Sequence, residues 1–407
     1  MAALNFPRKG ATVDLFDKCR NFTIAREAMA AGIYPYFTTL DDNSEGTEVV
    51  IRGRKVIMIG SNNYLGLTTD PRVRQAAVEA TQKYGTSCTG SRFLNGTLEL
   101  HVEAERRLAK FVGKETALVF STGMQTNLGT ISALVDKGDV VIIDKEDHAS
   151  IVDGCRLALG TMKRFIHNDM ASLEKVLQSC PDSAGRLVVV DGIFSMGGDI
   201  APLPEIAALC KKYGAHLMVD DAHSLGVLGD HGRGTADYFG LTDQVDLIMG
   251  TFSKSFASLG GFIAGDDVVM HYVQHHARSF MFSASIPAAN VAAALAALDI
   301  MEHEPERIEQ LWHNTRKMAA GFKALGFDIG NSQTPVIPII IGDDMKTIFS
   351  WNALFQAGVY TNTVLPPAVP PNKSLLRTSY MATHTDEQLD RVLEIFARIG
   401  KEMGLIG

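Results

Sequence analysis

The sequence is poor in three features, and each shortage excludes a class of protein. No apolar run approaches the roughly 20 residues that a membrane-spanning helix needs; the Ala-rich stretch 291–300 is much shorter. The N-terminal segment lacks the apolar core of a secretory signal peptide. Positive charge is also in short supply, because the formal net charge is -8. Without a basic field we predict no nucleic-acid partner. Without a long apolar run we predict no integral membrane segment.

Cysteine is equally scarce. The chain has five cysteines, at positions 19, 88, 155, 180 and 210. None forms a CxxC pair, and none has the spacing of a metal site. An odd number of cysteines in a chain without a signal peptide indicates free thiols in a reducing compartment. We therefore predict a cytoplasmic protein with no metal centre.

The sequence does contain a regular alternation of short apolar strands and helices. Strands are predicted at 117–120, 140–143, 187–190, 216–219 and 247–249. This alternation is typical of an α/β fold with a largely parallel sheet covered on both faces. Near residue 287 the pattern changes to that of a smaller α+β unit, in which strands are predicted at 336–341, 359–364 and 375–380. We predict an N-terminal helix and hairpin segment, a large α/β domain and a small C-terminal α+β domain, with bounds 1–59, 60–297 and 298–407.

Polar residues follow these strands directly. Open α/β sheets bind ligands at the carboxyl ends of their strands, so we expect these residues to form one site for a small charged ligand. The residues are Gly123, Met124, His148, Ser195, Asp220, His223, Thr251, Ser253 and Lys254. The loop 60–66, with Asn63 and Tyr64, is either a plain turn or a ligand-facing lip, and we assign both residues to the substrate side.

Lys254 lies in a turn rich in small and hydroxyl side chains, 251–261. Ser253 stands where a nucleotide-binding P-loop needs glycine, so we set that motif aside. A lysine in such a turn can be a surface charge, a phosphate ligand or a nucleophile. As a nucleophile it would form a Schiff base with a carbonyl, which is the chemistry of pyridoxal phosphate (PLP) enzymes.

The other strand-end residues supply what a PLP site needs. Asp220 can pair with the pyridine nitrogen, His223 and Ser195 can flank the phenolic oxygen, and His148 can cover the ring. Asp220 and His223 could instead be two metal ligands, but no third ligand lies nearby in the sequence. A lone histidine such as His148 is more often a surface residue.

Two further groups would hold the charged ends of cofactor and substrate. Backbone N–H groups of Gly123 and Met124 at a helix start, with Thr251 and Ser253 opposite, can bind a phosphate. Met124 could equally be a core residue. Arg377 has the fork geometry that matches a carboxylate, although a structural ion pair is about as plausible for a charge in mid-strand.

Five motifs together identify a family. They are STGMQTN at 121, DKEDHASIVDG at 144, DGIFSMGGDIAPL at 191, VDDAHSLGVLG at 219 and GTFSKSFASLGG at 250. From residue 61 to 390 the chain resembles the α-oxoamine synthases, PLP enzymes of the aspartate-aminotransferase fold (fold type I). The resemblance implies a seven-stranded sheet, with Lys254 carrying the cofactor and the residues above in the roles given. It also implies a homodimer with a shared active site, in which the loop with Ser285 reaches the partner's phosphate.

The family condenses an amino acid with an acyl-CoA and releases carbon dioxide. The stretches GIYPYF at 32, YGTSCTGSRFLNGT at 84, ARSFMFSASIP at 277 and the segment 366–385 resemble most the branch that uses L-serine and the long-chain acyl-CoA palmitoyl-CoA. Biotin-pathway members carry an arginine just before the equivalent of Tyr34. Residues 28–33 hold no cation here, which suits a plain alkyl chain.

Other functions stay open on the sequence alone. Within the family they are the biotin-pathway condensation of alanine with a pimeloyl thioester, and condensation of glycine with acetyl- or succinyl-CoA. Outside it they are a PLP aminotransferase and a scaffold subunit that binds no cofactor. The presence of both Lys254 and Asp220 disfavours the scaffold.

Overall fold

The computed structural model describes residues 14–407, and the predictions for residues 1–13 lie outside that range. The strands are β1 (Glu48–Ile51), β2 (Arg54–Met58), β3 (Thr116–Phe120), β4 (Val140–Asp144), β5 (Thr161–Phe165), β6 (Arg186–Asp191), β7 (His216–Asp220), β8 (Leu247–Thr251), β9 (Gly261–Gly265), β10 (Val336–Gly342), β11 (Val359–Tyr360), β12 (Asn362–Val364) and β13 (Ser374–Ser379).

The helices lie before, between and after these strands along the chain. They are α1 (Asp17–Arg20), α2 (Ile24–Ala30), α3 (Pro71–Tyr84), α4 (Glu99–Phe111), α5 (Gly123–Leu134), α6 (Ala149–Leu157), α7 (Met170–Gln178), α8 (Leu203–Tyr213), α9 (Thr235–Tyr238), α10 (Asp267–His276), α11 (Arg278–Met281), α12 (Ala288–His303), α13 (Glu306–Leu325), α14 (Asp344–Gln356) and α15 (Asp386–Glu402). Short 3-10 helices lie at Leu67–Thr69, Asp230–Gly232 and Thr242–Gln244.

A seven-stranded sheet forms the centre, in the order β3-β9-β8-β7-β6-β4-β5. All neighbours are parallel except at β9, which runs antiparallel to both β3 and β8. Strands β5 and β9 were not predicted from the sequence. Strand β5 lies at an edge and carries Lys163 and Arg164, so it lacks an apolar run, while β9 is short and bounded by glycines. The predicted mostly parallel, seven-stranded α/β fold is confirmed.

One predicted strand was wrong. The stretch 359–364 is two strands in two different sheets: β11 pairs in parallel with β2, and β12 pairs antiparallel with β13. The break falls at Thr361, whose carbonyl oxygen accepts a hydrogen bond from the indole Nε1 of Trp351 and whose hydroxyl donates to the Arg377 carbonyl oxygen. Hydrogen bonds that involve side chains thus replace the strand-to-strand backbone hydrogen bonds at this residue.

The N-terminal hairpin shares a core with the C-terminal part of the chain. Strands β1 and β2 form the predicted hairpin, and β11 extends it to three strands. Ile57 and Ile59 are buried in one apolar cluster with Trp351 and Tyr380. The domain bounds at 60 and 298 stay predictions, but burial of this kind ties the hairpin to the smaller unit.

Candidate active site

The carboxyl ends of the parallel strands meet at a cavity of about 230 Å³. Eight of the predicted strand-end residues line it. They are Gly123, Met124, His148, Ser195, His223, Thr251, Ser253 and Lys254. The ninth, Asp220, is the buried last residue of β7. Parallel strands bring these residues together because all their carboxyl ends lie at one edge of the sheet.

Lys254 follows β8 and sits in the cavity wall without an ion-pair partner among residues 14–407. Burial lowers the pKa of its amino group to about 8, although Asp220 and Asp191 attract its positive charge. Desolvation disfavours the charged form of a lysine. A large share of Lys254 is therefore neutral near pH 8, the form that can act as a nucleophile.

Asp220 is held in place as a carboxylate acceptor. Its Oδ2 accepts a hydrogen bond from the Asn127 amide at 2.7 Å, and its Oδ1 accepts one from the Ala222 backbone N–H at 3.0 Å. Both donors stabilise a negative charge in a buried position. The arrangement fits a group that pairs with a protonated ring nitrogen.

His223 and Tyr64 form a buried polar pair beside Lys254. The Tyr64 hydroxyl lies 2.7 Å from His223 Nδ1. Burial lowers the pKa of His223 well below its usual value, and the positive charges of Lys254 and Arg377 add to the effect. His223 is therefore neutral at physiological pH and can donate one hydrogen bond into the cavity.

The Asn63 side chain is hydrogen-bonded within its own loop. Its amide donates to the Thr68 hydroxyl at 2.8 Å and so serves the loop itself. Asn63 is not among the residues that line the cavity. A substrate role for Asn63 stays a prediction, and so does one for Tyr64.

Helix α5 begins at the cavity with two free backbone donors. Thr122 caps the helix by accepting from the Gln125 N–H at 3.1 Å, whereas the N–H groups of Gly123 and Met124 have no acceptor within residues 14–407. A Cβ on Gly123 would lie 2.8 Å from Thr251 Oγ1, so only glycine fits there. Unsatisfied N–H groups at a helix start bind anions such as phosphate.

Arg377 is buried in mid-strand without a carboxylate partner in the described chain. Its Nε donates to the Ser195 carbonyl oxygen at 2.6 Å and its Nη1 to the Ser379 hydroxyl at 2.9 Å. Its Nη2 has no partner. The alternative that Arg377 belongs to a structural ion pair finds no support, because every oxygen it contacts is uncharged.

Ser285 lies outside the cavity. Its hydroxyl and its backbone N–H both contact the Gly90 carbonyl oxygen, at 3.0 and 2.9 Å. This contact joins the loop before α12 to the glycine-rich loop 84–96. Its predicted phosphate contact across a dimer is not tested by the single chain and stays a prediction.

Comparison with known proteins gives the family. The model of the aminotransferase class I and II family matches residues 54–396. The chain belongs to this family. A curated serine palmitoyltransferase from Sphingobacterium spiritivorum is 51% identical over 388 residues, covering 95% of this chain and 97% of that protein. An 8-amino-7-oxononanoate synthase from Thermoanaerobacter pseudethanolicus is 42% identical, covering 93% and 96%.

Comparison with solved structures gives the same family. A serine palmitoyltransferase from S. paucimobilis with a bound PLP–myriocin aldimine superposes with a TM-score of 0.93 at 39% identity, covering 97% of this chain and all of that chain. The resemblance to the α-oxoamine synthases is thereby confirmed. The predicted aspartate-aminotransferase-like fold is confirmed with it.

Three residues of the site were not predicted from the sequence. Asn127 lies one helical turn after Gly123 on α5 and contacts Asp220, so the i, i+4 spacing was a usable signal. Asp191 ends β6, pairs in register with Asp220 and lines the cavity, which the strand-end rule itself predicts. Ser150, beside His148, carried no such signal.

Two absences concern only the part of the chain from residue 14 onward. No group of three or more His, Cys, Asp or Glu side chains is placed to hold a metal ion. No helix there has the length and apolar character needed to cross a membrane.

Proposed function

We propose that the chain is a PLP-dependent serine palmitoyltransferase. It would condense L-serine with palmitoyl-CoA to 3-oxosphinganine, CoA and carbon dioxide, the first step of sphingolipid synthesis. The observation that carries the proposal is the 51% identity to a serine palmitoyltransferase over nearly the full length of both chains. The cavity supports the proposal with a lysine of lowered pKa and a buried carboxylate. It also has a helix start whose backbone N–H groups are free to bind an anion.

The residues present fit PLP. The Gly123 and Met124 N–H groups, with the Thr251 and Ser253 hydroxyls, would hold its phosphate. Asp220 would pair with the ring nitrogen, and His223 with Ser195 would flank the phenolic oxygen, while His148 would cover the ring. When bound, PLP withdraws electrons from the amino acid's Cα and so makes its proton acidic.

Lys254 has two tasks in this mechanism. Its neutral amine would form the covalent bond that holds the cofactor. When Nζ is free, it would be a base within the cavity and would take the Cα proton. A lysine with a pKa near 8 suits both tasks, because it gains and releases a proton near neutral pH.

Arg377 would anchor the serine carboxylate. Its Nη2 has no partner in the described chain, and the Ser195 carbonyl fixes the plane of the guanidinium through Nε. A carboxylate would satisfy the buried donor and receive a charge-assisted hydrogen bond. Asn63 and Tyr64 are proposed to lie on the same substrate side.

A cation does lie near the segment 28–33, on another part of the chain. Residues 28–33 hold no cation, but the fold places Arg52 in a surface groove with Gly32 and Tyr34. An uncharged entry therefore does not follow from residues 28–33. The preference for palmitoyl-CoA over a pimeloyl thioester rests on the relatives.

We also propose a cytoplasmic homodimer with a shared site. The five cysteines are all unpaired, which suits a reducing compartment. Phe93, Leu94 and Phe282 are exposed and lie on two loops that the Ser285–Gly90 contact joins. An apolar patch of this kind is typical of an interface.

The proposal is tested by thiol release from a small matrix of substrates. L-serine, L-alanine and glycine are combined with palmitoyl-, pimeloyl- and acetyl-CoA, with Lys254→Ala as the inactive control. We expect turnover with serine and palmitoyl-CoA. Turnover with alanine and pimeloyl-CoA would instead establish the biotin-pathway reaction, which the Arg52 groove would then explain. Amino transfer to a keto acid without CoA release would establish an aminotransferase.

A further inference from the structure

A chain of hydrogen bonds runs beneath the cavity from His148 to Asp220. His148 Nδ1 lies 2.8 Å from the Ser150 hydroxyl. The Asn127 amide nitrogen lies 2.9 Å from that hydroxyl and 2.7 Å from Asp220 Oδ2. Asn127 and Ser150 are buried, so these contacts do not compete with bulk water.

The direction of each hydrogen bond follows from the donors. The Asn127 NH2 group has no acceptor capacity, so it donates both to Asp220 and to Ser150. The Ser150 hydroxyl accepts a hydrogen bond from Asn127, so its own hydrogen is free to be donated to His148 Nδ1. The backbone N–H of Ser150 also donates to Nδ1, at 3.3 Å.

Two donors therefore converge on His148 Nδ1, which must be an acceptor. A proton on Nδ1 would face the Ser150 N–H. The remaining ring proton lies on Nε2, which makes no hydrogen bond with any residue from 14 to 407, and the side chain lines the cavity. Burial also lowers the pKa of His148, which agrees with a neutral ring.

We propose that Asn127 and Ser150 are positioning residues that hold His148 as the neutral Nε2–H tautomer and couple its ring to Asp220. His148 then always offers a donor, never an acceptor, to a group in the cavity. The consequence for catalysis rests on the proposed function. The tautomer itself does not, because it follows from contacts within this chain.

The test is a measurement of the tautomer in the holoenzyme. Protein labelled with 15N-histidine is examined by long-range proton–nitrogen correlation, and the His148 signals are assigned by their loss in His148→Gln. We expect a protonated Nε2 and an unprotonated Nδ1 in the wild type. A proton on Nδ1 in the wild type would overturn the proposal, whatever substrate the thiol-release matrix identifies.

Two variants test the positioning residues. Ser150→Ala removes one donor to Nδ1, and losing a hydrogen bond of ordinary strength should shift the tautomer ratio roughly five-fold toward Nδ1–H. Ser132→Ala is the matched control, because its hydroxyl serves only the α5 backbone, and it should leave the ratio unchanged. An unchanged ratio in Ser150→Ala would contradict the role of Ser150.

Asn127→Ala tests the link to Asp220. Without the amide, Asp220 keeps only the Ala222 N–H as a donor, so we expect the visible absorption maximum of the bound cofactor to shift. An unchanged spectrum would show that His148 and Asp220 are not coupled through Asn127.

Discussion

At the scale of the residue, the site depends on ionisable side chains that are partly or fully withdrawn from water. Lys254 loses part of its positive charge through burial, and His223 and His148 are neutral for the same reason. The Arg377 guanidinium does not line the cavity itself, but it contacts the carbonyl oxygen of Ser195, which does.

Cofactor capture should report the pKa of Lys254. Only the neutral amine reacts, so the rate at which apoprotein takes up PLP should rise with pH up to about 8 and then level off. Below that pH the neutral fraction, and so the rate, falls about tenfold per unit. The visible absorbance of the captured cofactor measures the rate, and Lys254→Ala gives the baseline. A rate that still climbs between pH 9 and 10 would contradict the lowered pKa.

Arg377→Lys should raise the KM for serine about tenfold or more, with a smaller effect on kcat, because a charge-assisted hydrogen bond is lost. Arg186→Lys is the matched control. Arg186 is also largely buried, donates hydrogen bonds to carbonyl oxygens and has one nitrogen without a partner. It lies at the start of β6, at the opposite edge of the sheet from the cavity. Steady-state kinetics of both variants measure the difference. Equal KM values in Arg377→Lys and wild type would argue against the carboxylate anchor.

At the scale of the element, helix α5 supplies the anion site and the support for Asp220 from one segment. Its first turn faces Thr251 on β8, and its second turn places Asn127 against Asp220. The close approach of α5 to the sheet requires glycines: a Cβ on Gly261 would lie 2.7 Å from the Gly123 Cα. Cofactor binding and sheet packing are therefore linked.

Gly123→Ala should weaken PLP binding about tenfold, because the new methyl group enters the space between α5 and Thr251 and disturbs contacts worth a hydrogen bond or more. Titration of apoprotein with PLP, followed by absorbance, measures the affinity. Ser132→Ala, two turns further along α5, serves as the control and should bind normally. Normal binding by Gly123→Ala would move the phosphate site elsewhere.

His167 joins three segments of the fold. It lies between Asp144, at the end of β4, and Asp199, in the loop after β6, at 3.0 and 2.9 Å. Burial opposes its positive charge, but the hydrogen bonds to Asp144 and Asp199 outweigh burial and raise the pKa of His167 to about 10. Its charge therefore persists in the folded protein at neutral pH.

The raised pKa predicts a loss of stability in alkali. Protonated His167 stabilises the fold fully below the unfolded pKa of about 6.5, and the stabilisation is lost as pH rises toward 10. We expect a loss on the order of 2 kcal/mol over that range, discounted for partial exposure. Urea unfolding at several pH values measures it. In His167→Gln the free energy of unfolding should not fall in this way between neutral pH and pH 10. His216→Gln, at an exposed histidine–aspartate pair, should show the same fall as wild type. A fall in His167→Gln equal to that of wild type would refute the assignment.

At the scale of the whole molecule, the open side of the cavity is bordered by exposed apolar residues. Met124 and Leu259 line the cavity and are 41% and 49% exposed. Phe93 and Phe282, on the joined loops 84–96 and 277–286, are also exposed. In the proposed dimer, a second copy of the chain would cover these surfaces.

Phe282→Asp should therefore shift the protein from dimer to monomer and reduce activity with it, because a buried charge at an interface is costly. Sedimentation velocity measures the oligomeric state. Val268→Asp, at a position that is 80% exposed on α10, should leave the dimer intact. A wild-type protein that sediments as a monomer would contradict the shared site.

Local signals in the sequence determined the α/β alternation, the strand-end residues and the motifs around Lys254. These depend on short spacing, because apolar periodicity and turn residues act within a few positions. The rule that ligands bind at the carboxyl ends of parallel strands predicted Asp220, His223 and His148 at one sheet edge. It applied equally to Asp191, which was overlooked.

Only the tertiary structure decided the contacts between distant segments. The antiparallel β9, the split at Thr361 and the Arg52 groove all depend on pairing partners far away in the chain. The Asn127–Ser150 link and the empty hydrogen-bonding position on Arg377 likewise depend on side chains from several elements meeting in a dry interior. Composition and periodicity do not encode such meetings, because burial and long-range packing create them.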